Sequence, residues 1–542
     1  MKKRVIGMFL VIVLLLGMFT GCGKKKEQLS WDGKTLRVGI SQNFNVTDYD
    51  DNAFTKYLED TLGYDIKFSY FSSSASEYKQ QISLMAISGE ALPDALLGFY
   101  NLSTSAVSEL GQDGYFMDLT DLIENNSVHF KKALEAHSAE DQEFIMKSLA
   151  DPTTGAIYGL PLVGSLAFDS MQNVMYINQT WLDKLGLEIP TTTEELYQVC
   201  KAFATKDPNG NDMEDEIPIL GGYTGRANDI MTYFMNAFVY YDVDTTFNAD
   251  NGKVWDPVVT DEFRQGLQYA NKLYQEGLLS EFCFSLKSNA DYKALYSPAD
   301  GVQKVGIICG HPQVYTVESS NALSEYTALG YLKDETGKGG YTVLGEISVQ
   351  PDVFITKDCT NPEAAFKLLD LCFADETIAR ARYGEKDVDW YAEEGLNNYG
   401  TKSYINLINA GAFFEGNKTW CSNIAGFATP YNYNVVASGE TTGRMADIDR
   451  LERESWVFVQ NGVQPKETCQ NLFYNGDELK IREEYYSISK EYIHSQMNLF
   501  ICGELDINDD NAWNEFKSTL YEQVGRDNLL EIEQSAFDRT YK

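Results

Sequence analysis

The segment DPNGNDMEDEIP (207–218) gathers many oxygen-donating groups on one short polar stretch. Three of its side chains alternate along the chain, as the first three ligands of calcium-binding loops do, and Gly210 permits a sharp turn between them. Calcium takes about six to eight oxygen ligands. The candidate ligands are the side chains of Asp207, Asn209, Asn211, Asp215 and Glu216 and the backbone carbonyl of Met213. We therefore predict a structural Ca²⁺ site in this loop.

The spacing of this loop departs from that of an EF-hand, which places a bidentate glutamate at its twelfth position. The alternative interpretation is a solvated turn rich in Asn and Asp that holds no metal. The loop follows a predicted surface helix rather than the carboxyl end of a strand. We therefore expect it to lie away from any ligand cleft and to have a structural role.

The first 22 residues, MKKRVIGMFLVIVLLLGMFTGC, combine a basic start with an apolar run from Val5 to Phe19. The run is too short to span a bilayer comfortably and is typical of a signal peptide. Its end resembles a bacterial lipobox in which Cys22 is diacylated and becomes the mature N-terminus, although Phe19 stands where Leu is usual. Residues 23–30 would then be a polar tether. The alternative is an uncleaved membrane anchor with an incidental cysteine.

The rest of the sequence contains no serine-hydrolase, zinc-protease or phosphate-loop motif, and we predict that the protein is not an enzyme. A glycoside hydrolase remains the alternative, because 80 carboxylates offer many pairs whose spatial separation the sequence does not give. The eight cysteines after Cys22 form no CxxC pair and several lie in apolar runs. They are predicted to be buried thiols rather than disulfides or zinc ligands.

The formal net charge of -36 argues against nucleic acid as a partner, because such a surface repels phosphate backbones. The simplest interpretation of this acidity is solubility of an exported protein. The more specific alternative is that the acidity serves to bind a cationic ligand, such as a polyamine or a peptide. The length of 542 residues is too great for one compact core and fits two large lobes with insertions.

Residues 36–97 alternate strand and helix signals. Strands are predicted at 36–40, 65–71 and 94–99, and helices at 52–62 and 76–89. This rhythm predicts a parallel sheet covered by helices, in which ligands gather at the carboxyl ends of the strands. Those ends are 41–44 and 99–101. Later strands are predicted at 173–178, 304–310 and 346–356, and helices at 261–277 and 361–376.

Several motifs, in order, resemble those of family 1 extracellular solute-binding proteins, the large carbohydrate-binding lipoproteins of ABC importers. They are the lipobox, GEALPDAL (89–96), IYGLP (157–161), WLDKLGLEIPTTTEEL (181–196), DPNGNDMEDEIP, LYQEGLLSEF (273–282), KVGIICG (304–310), NPEAAFKLLDL (361–371) and FICGELDINDD (500–510). In relatives that bind acidic polysaccharide fragments, the DPNGN loop resembles a calcium site. NQTW (178–181) departs from the family's pattern by lacking a basic residue near the crossing between the lobes, which leaves the ligand's identity open.

The resemblance implies an α/β, two-lobe, periplasmic-binding-protein-like fold with a ligand cleft between the lobes. The first lobe would comprise 31–163 plus 328–376, and the second 168–325 plus 380–542. It also implies a monomer on the extracellular face of the cell membrane that captures a carbohydrate and delivers it to ABC-importer permease subunits, and an oligosaccharide is the expected ligand.

Strand ends and lobe crossings point to eight candidate ligand-binding residues. They are Asn43, Phe44, Tyr100, Asn101, Ser165, His311, Glu346 and Trp390. Aromatic rings cover the apolar C–H faces of sugars, and amide or carboxylate groups bond their hydroxyls. The alternative for each is an ordinary loop or core residue.

Overall fold

The computed structural model describes residues 30–43, 45–100, 102–164, 173–222, 229–286, 289–296, 298, 300–310, 322–343, 348–396, 402–409, 412, 415–421, 426–427, 435–437 and 444–541. The strands are β1 (Thr35–Ser41), β2 (Asp65–Phe71), β3 (Ala95–Leu97), β4 (Gly159–Gly164), β5 (Met175–Asn178), β6 (Ile217–Leu220), β7 (Asn248–Asp250), β8 (Lys253–Trp255), β9 (Val305–Cys309), β10 (Tyr326–Leu329), β11 (Ser348–Ile355), β12 (Trp390–Leu396), β13 (Lys402–Leu407), β14 (Gly426–Phe427), β15 (Val435–Ala437) and β16 (Glu467–Thr468).

The α-helices include those predicted from the sequence at 52–62, 76–89, 261–277 and 361–376, with ends that differ by a few residues. They are α1 (Ala53–Leu62), α2 (Ala75–Ser88), α3 (Thr104–Gln112), α4 (Thr120–Asn126), α5 (His129–Glu135), α6 (Ala139–Leu149), α7 (Gln179–Leu185), α8 (Thr193–Thr205), α9 (Ile230–Met235), α10 (Asp261–Gln275), α11 (Phe282–Ser285), α12 (Asn289–Tyr296), α13 (Pro362–Leu371), α14 (Asp375–Tyr383), α15 (Arg444–Asn461), α16 (Gly476–Cys502), α17 (Asp510–Glu522) and α18 (Arg526–Tyr541).

The first lobe is built on a six-stranded sheet of order β14-β4-β11-β3-β1-β2. β1 runs parallel to β2 and β3, which confirms the predicted parallel arrangement, whereas β11 is antiparallel to β3 and β4. Alternate side chains of the strands enter two separate apolar clusters, as Val353 and Phe354 do on β11. Helices therefore cover both faces of the sheet.

The GEALPDAL motif has a structural role in this sheet. Its Asp94 is buried and pairs with Arg37 of β1, with 2.7 Å between Nη2 and Oδ1. The same carboxylate accepts the backbone N–H of Arg37 at 2.9 Å. These bonds connect the loop before β3 to β1. The motif therefore fixes the relative position of two neighbouring strands, whose carboxyl ends lie at one edge of the sheet.

The second lobe is built on a four-stranded sheet of order β10-β5-β9-β6. β5 is antiparallel to both β9 and β10, and β6 is parallel to β9. Helix α8 begins with a reciprocal capping box between Thr192 and Glu195. Trp181 of the WLDKLGLEIP motif is buried in this lobe's core, where its ring meets Phe203 edge-on at 5.2 Å.

Two smaller sheets complete the described chain. One, β16-β7-β8, packs on the C-terminal helices of the second lobe. Arg526 of α18 holds this region in place through a buried ion pair with Asp256. The other, β12-β13-β15, packs on α14.

The predicted lobe boundaries differ from the structure in two places. Residues from β10 to Leu332 pack in the core of the second lobe rather than the first. The segment after 380 returns to the first lobe, because Trp420 is buried against Phe54 and Phe68 and donates its Nε1–H to Thr55. β14 also pairs with β4 in the first sheet. The second lobe therefore resumes at α15, whose contacts are with β10.

Candidate functional site

One edge of the first sheet collects the carboxyl ends of its parallel strands. β1 ends at Ser41 and β3 at Leu97, and β11, being antiparallel, starts at the same edge with Ser348 opposite Gly164. Phe99, just past β3, donates its backbone N–H to the carbonyl of Asp352 at 3.0 Å. This edge is where an α/β sheet of this kind binds ligands.

The matching edge of the second sheet is formed by the start of β5 and the ends of β9 and β10. Met175 lies opposite Cys309 and Leu329 in the two ladders. Gly310 donates its backbone N–H to the carbonyl of Val174 at 2.9 Å, which extends the pairing to the rim. Backbone groups of three segments of the second lobe therefore meet at this edge.

The chain passes directly between these two edges. Gly164 and Asn173 are separated by the connection 165–172, which spans at most about 30 Å. Val343 and Ser348 are separated by 344–347, which spans at most about 18 Å. These short connections limit how far apart the rims of the two sheets can lie, as a cleft between two lobes requires.

Asn43 and Tyr100 lie at the rim of the first lobe, as predicted. Asn43 is half-buried and organises a turn, because its Oδ1 accepts the N–H of Asn45 at 3.0 Å and its own N–H donates to the Tyr49 hydroxyl at 3.1 Å. The side chain of Tyr100 is 40% exposed, so its ring is available to a ligand. The structure thus offers an exposed aromatic ring at this rim.

Trp390 lies in a different setting from the one predicted. Its side chain is only 1% exposed and packs with Tyr383 and Ile405. Its indole N–H donates to the carbonyl of Gly384 at 3.0 Å. The ring therefore has packing partners on its faces and no open surface for a sugar. The predicted residues Phe44, Asn101, Ser165, His311 and Glu346 lie outside the described residues.

Three buried polar residues at the two rims were not singled out from the sequence: Asn173, Asp229 and Asp352. Asn173 adopts a left-handed backbone with φ 54° and donates its amide to the Asp229 carbonyl at 2.8 Å. Asp229 caps α9, and burial raises the pKa of its carboxyl. The available signals were, for Asn173, an Asn at the first position of a predicted strand and, for Asp352, a charged residue inside an apolar strand.

The DPNGN loop is organised around the carboxylate of Asp207. Its Oδ1 accepts the backbone N–H groups of Gly210 and Asn211 at 2.9 and 3.1 Å, and Oδ2 accepts that of Asp212 at 3.1 Å. Asp207 itself has φ 43°. The side-chain amides of Asn209 and Asn211 both donate to Asp215, at 3.0 and 3.1 Å. The loop therefore brings four of the five predicted side-chain ligands into one hydrogen-bonded cluster.

The last predicted ligand, Glu216, is the electrostatically unusual member of the loop. Its Oε1 is buried and has no hydrogen-bond partner among the described residues. Burial raises the pKa of this carboxyl, and the charges of Asp207 and Asp215 add to the effect. Lys304 pairs with Asp215 at 2.9 Å and lowers the pKa of Asp215. The loop thus presents excess negative charge that one ammonium group balances in part.

No group of three or more His, Cys, Asp and Glu side chains within the described ranges is arranged to hold a metal ion by itself. The predicted calcium ligands also include two asparagine amides and a backbone carbonyl, so the absence of such a group does not bear on that site.

All eight cysteines after Cys22 are thiols outside disulfides, and six of them are buried. In the part of the chain that the structure describes, no helix has the length and apolarity to cross a membrane.

Residues 45–379, more than half of the chain, match the family described as bacterial extracellular solute-binding protein. The chain is 28% identical, over 97% of its length and 96% of the relative's, to the fructooligosaccharide ABC transporter substrate-binding protein FusA of Streptococcus pneumoniae serotype 4. Two solved structures share the fold. An EF-hand mutant of S. pneumoniae FusA with fructo-nystose has a TM-score of 0.73 at 23% identity, covering 94% of this chain and 99% of that one. A human-milk-oligosaccharide (HMO) binding solute-binding protein of Bifidobacterium longum infantis has a TM-score of 0.74 at 21% identity, covering 94% and 100%.

Proposed function

Because the chain belongs to the family of bacterial extracellular solute-binding proteins, we propose that it captures an oligosaccharide between its two lobes and delivers it to an ABC importer. The observation that carries this proposal is the full-length similarity to a fructooligosaccharide-binding protein. The paired sheet rims and the open ring of Tyr100 support it. The similar proteins are named as binding proteins, which does not favour the glycoside hydrolase or the binder of cationic ligands.

The physical basis of capture is a two-state closure of the lobes. A ligand shifts this equilibrium only by its extra affinity for the closed form. An aromatic ring such as that of Tyr100 covers the apolar C–H face of a sugar, while polar groups at the rims bond its hydroxyls. The ligand is released unchanged, because the function requires recognition and no bond cleavage.

Titration calorimetry with a panel of ligands tests this function. The panel comprises kestose and nystose, human milk oligosaccharides, polygalacturonan fragments, spermidine and a basic peptide. We expect saturable binding of one oligosaccharide class, with a melting temperature that rises with ligand concentration by mass action. Binding of only the cationic ligands, or hydrolysis of a bound oligosaccharide during the titration, would refute the proposal.

We also propose that Cys22 carries a diacyl anchor and that the protein is a monomer on the outer face of the membrane. Two acyl chains anchor a protein stably, whereas one gives marginal binding. Labelling of cells with a palmitate analogue should mark the native chain and not Cys22→Ser, which should appear in the medium. Light scattering of the soluble part after residue 22 should give a mass close to that of one chain.

The 207–216 loop is proposed to bind Ca²⁺ as a structural ion. The buried, unpartnered Oε1 of Glu216 fits such a role, because a cation would offset the charge that burial and its acidic neighbours make costly. Rotating the amides of Asn209 and Asn211 by 180° would present oxygens where their N–H₂ groups now meet Asp215, and such amide orientations are assigned from hydrogen bonding. The similarity to a structure described as an EF-hand mutant supports the proposal. Calorimetry with CaCl₂ on chelator-treated protein should show one saturable site. The absence of saturable calcium binding would refute the proposal.

A further inference from the structure

The pairing of β1 with β2 ends just before Asn43, one of the predicted ligand-binding residues. The ladder runs to Ser41, and Gln42 still donates its backbone N–H to the carbonyl of Phe71 at 3.0 Å. The N–H of Asn43 donates instead to the hydroxyl of Tyr49, at 3.1 Å. Backbone N–H groups need a partner where the chain leaves a sheet. The Tyr49 hydroxyl therefore takes the place of a neighbouring strand at the start of this turn.

The two ends of the Asn43 side chain are in different settings. Its Oδ1 accepts the backbone N–H of Asn45 at 3.0 Å, and this bond fixes the orientation of the amide, because only the oxygen can accept there. Its Nδ2 has no hydrogen-bond partner among the described residues. The amide therefore keeps two N–H donors at the carboxyl edge of the first sheet, and such donors suit the oxygens of a sugar.

Tyr49 is held in place by contacts that do not involve the turn. Its side chain is 2% exposed, and the centre of its ring lies 5.6 Å from that of Phe68 and 5.6 Å from that of Trp420. Its backbone carbonyl accepts the hydroxyl of Thr55 at 2.6 Å, and the Thr55 oxygen accepts the indole N–H of Trp420 at 2.9 Å. The core of the first lobe thus fixes the phenol, and the hydroxyl gives the turn a rigid point of attachment.

We infer that Tyr49 is a positioning residue for ligand binding: its hydroxyl holds the backbone of Asn43 and so presents the Asn43 amide to a sugar oxygen. The inference rests on the proposed function for its effect on affinity. Because Tyr49 is buried, it acts through Asn43 and not by contact with the ligand. Without the hydroxyl the turn has more freedom, and ordering it on binding then costs conformational entropy.

Tyr49→Phe tests this role, because it removes the hydroxyl and keeps the ring in the core. Calorimetry with kestose, nystose, human milk oligosaccharides and polygalacturonan fragments should show about fivefold weaker affinity for whichever of them the native chain binds, the effect of one neutral hydrogen bond. The matched control is Tyr64→Phe. The Tyr64 hydroxyl donates to the Ala364 carbonyl at 2.7 Å, and the residue directly precedes β2, at the opposite end of the strand from the rim. Tyr64→Phe should keep the native affinity, and equal losses in the two variants, or none in Tyr49→Phe, would overturn the inference.

A double-mutant cycle shows whether Tyr49 acts through Asn43. Asn43→Ala removes the amide, so adding Tyr49→Phe to it should weaken affinity by less than about twofold more. A merely structural contribution of the hydroxyl would act in both backgrounds alike. Additive losses in the double variant would therefore mean that Tyr49 acts by another route, and they would overturn the inference.

Hydrogen exchange of the 42–48 peptide supplies a readout that needs no ligand. The Asn43 amide should exchange about fivefold faster in Tyr49→Phe than in the native chain, and at the native rate in Tyr64→Phe. Unchanged exchange in Tyr49→Phe overturns the inference. If none of the oligosaccharides binds the native chain, the proposed function fails, and faster exchange in Tyr49→Phe still shows that this hydroxyl holds the turn.

Discussion

The ring of Phe144 on the first lobe packs against the ring of Phe473 on the second, with centroids 5.4 Å apart. The ammonium of Lys147 lies 4.0 Å from the centre of the Phe473 ring. Nearby, the hydroxyl of Ser105 on α3 hydrogen-bonds Glu483 on α16. The two lobes therefore contact each other through side chains of α3 and α6, in addition to being joined by the connecting segments of the chain.

This aromatic pair should couple the two lobes energetically. A double-mutant cycle with Phe144→Ala and Phe473→Ala should give a coupling of about 0.5–1.5 kcal/mol in the free energy of unfolding by denaturant. Pairing Phe473→Ala with Phe284→Ala, on a remote face of the second lobe, should give additive effects. Additivity for Phe144 and Phe473 as well would mean that the contact contributes no net stability.

The buried Asp352 should make stability depend on pH. Because its folded pKa of about 7 lies above the ordinary value of 3.8, the folded chain binds this proton more tightly than the unfolded chain between those pH values. Its contribution to stability therefore falls as pH rises through that window and levels off above pH 7. Asp352→Asn should melt about 2 °C or more above the native chain at pH 8, with the gap closing towards pH 5. A constant gap in melting scans over this range would contradict the assignment.

The regular elements were predictable from the sequence because their signals are local. The alternation in DIKFSYF and the helix spacing of NAFTKYLEDTL are each set by neighbouring residues, and both elements appear where predicted. The parallel arrangement followed from their order. Burial by distant segments was not predictable: Trp420 lies 365 residues from the Thr55 hydroxyl that accepts its N–H. The same reason explains the misplaced lobe boundary.

The candidate site was predictable only in part. Strand ends led to Asn43 and Tyr100, because the carboxyl edge of a parallel sheet follows from topology. Trp390 was chosen from the same strand ends and lobe crossings, and its burial depends on α14 and β13, which the local sequence does not reveal. Asp352 carried a signal, a charge within an apolar strand, but its burial depends on the strands on either side.

The ion pair of Arg526 and Asp256 should be essential to the C-terminal part of the second lobe. Two bonds of 2.8 and 2.9 Å join them, and both side chains are at most 1% exposed. Arg526→Ala leaves a buried carboxylate without its partner and should lower the free energy of unfolding by about 3–5 kcal/mol. Lys480→Ala removes an exposed pair with Asp477 and should change stability little. Equal effects of the two changes in urea unfolding would contradict this view.

Tyr100 should contribute to ligand affinity through its exposed ring. Tyr100→Ala should weaken binding of the preferred oligosaccharide about tenfold, since an aromatic contact of this size is removed, while the melting temperature stays near native. Ile87→Ala on α2, whose side chain is 80% exposed, is the matched control and should bind normally. Unchanged affinity of Tyr100→Ala in calorimetry would remove this residue from the site.

Calcium should stabilise the second lobe through the 207–216 loop. An ion that binds the folded chain alone adds about 2.7 kcal/mol to the free energy of unfolding at a hundredfold excess over its dissociation constant. The melting temperature of chelator-treated protein should therefore rise with CaCl₂, and much less with MgCl₂, because magnesium keeps its waters and demands a strict octahedron. Asp207→Ala should abolish the rise. Glu216→Gln should abolish it too, yet melt higher than the native chain in chelator, because a buried charge has been removed.

Two further variants separate ion binding from simple loop support. Asp334 organises a comparable turn by accepting the N–H groups of Thr336 and Lys338 at 2.8 and 2.9 Å, so Asp334→Ala should cost stability but keep the full response to calcium. Lys304 now balances Asp215, so Lys304→Met should be less stable in chelator and bind calcium more tightly, because no ammonium competes for that carboxylate. A native chain that melts at the same temperature in chelator and in CaCl₂, or an Asp207→Ala variant that responds like Asp334→Ala, would leave the loop as a polar turn.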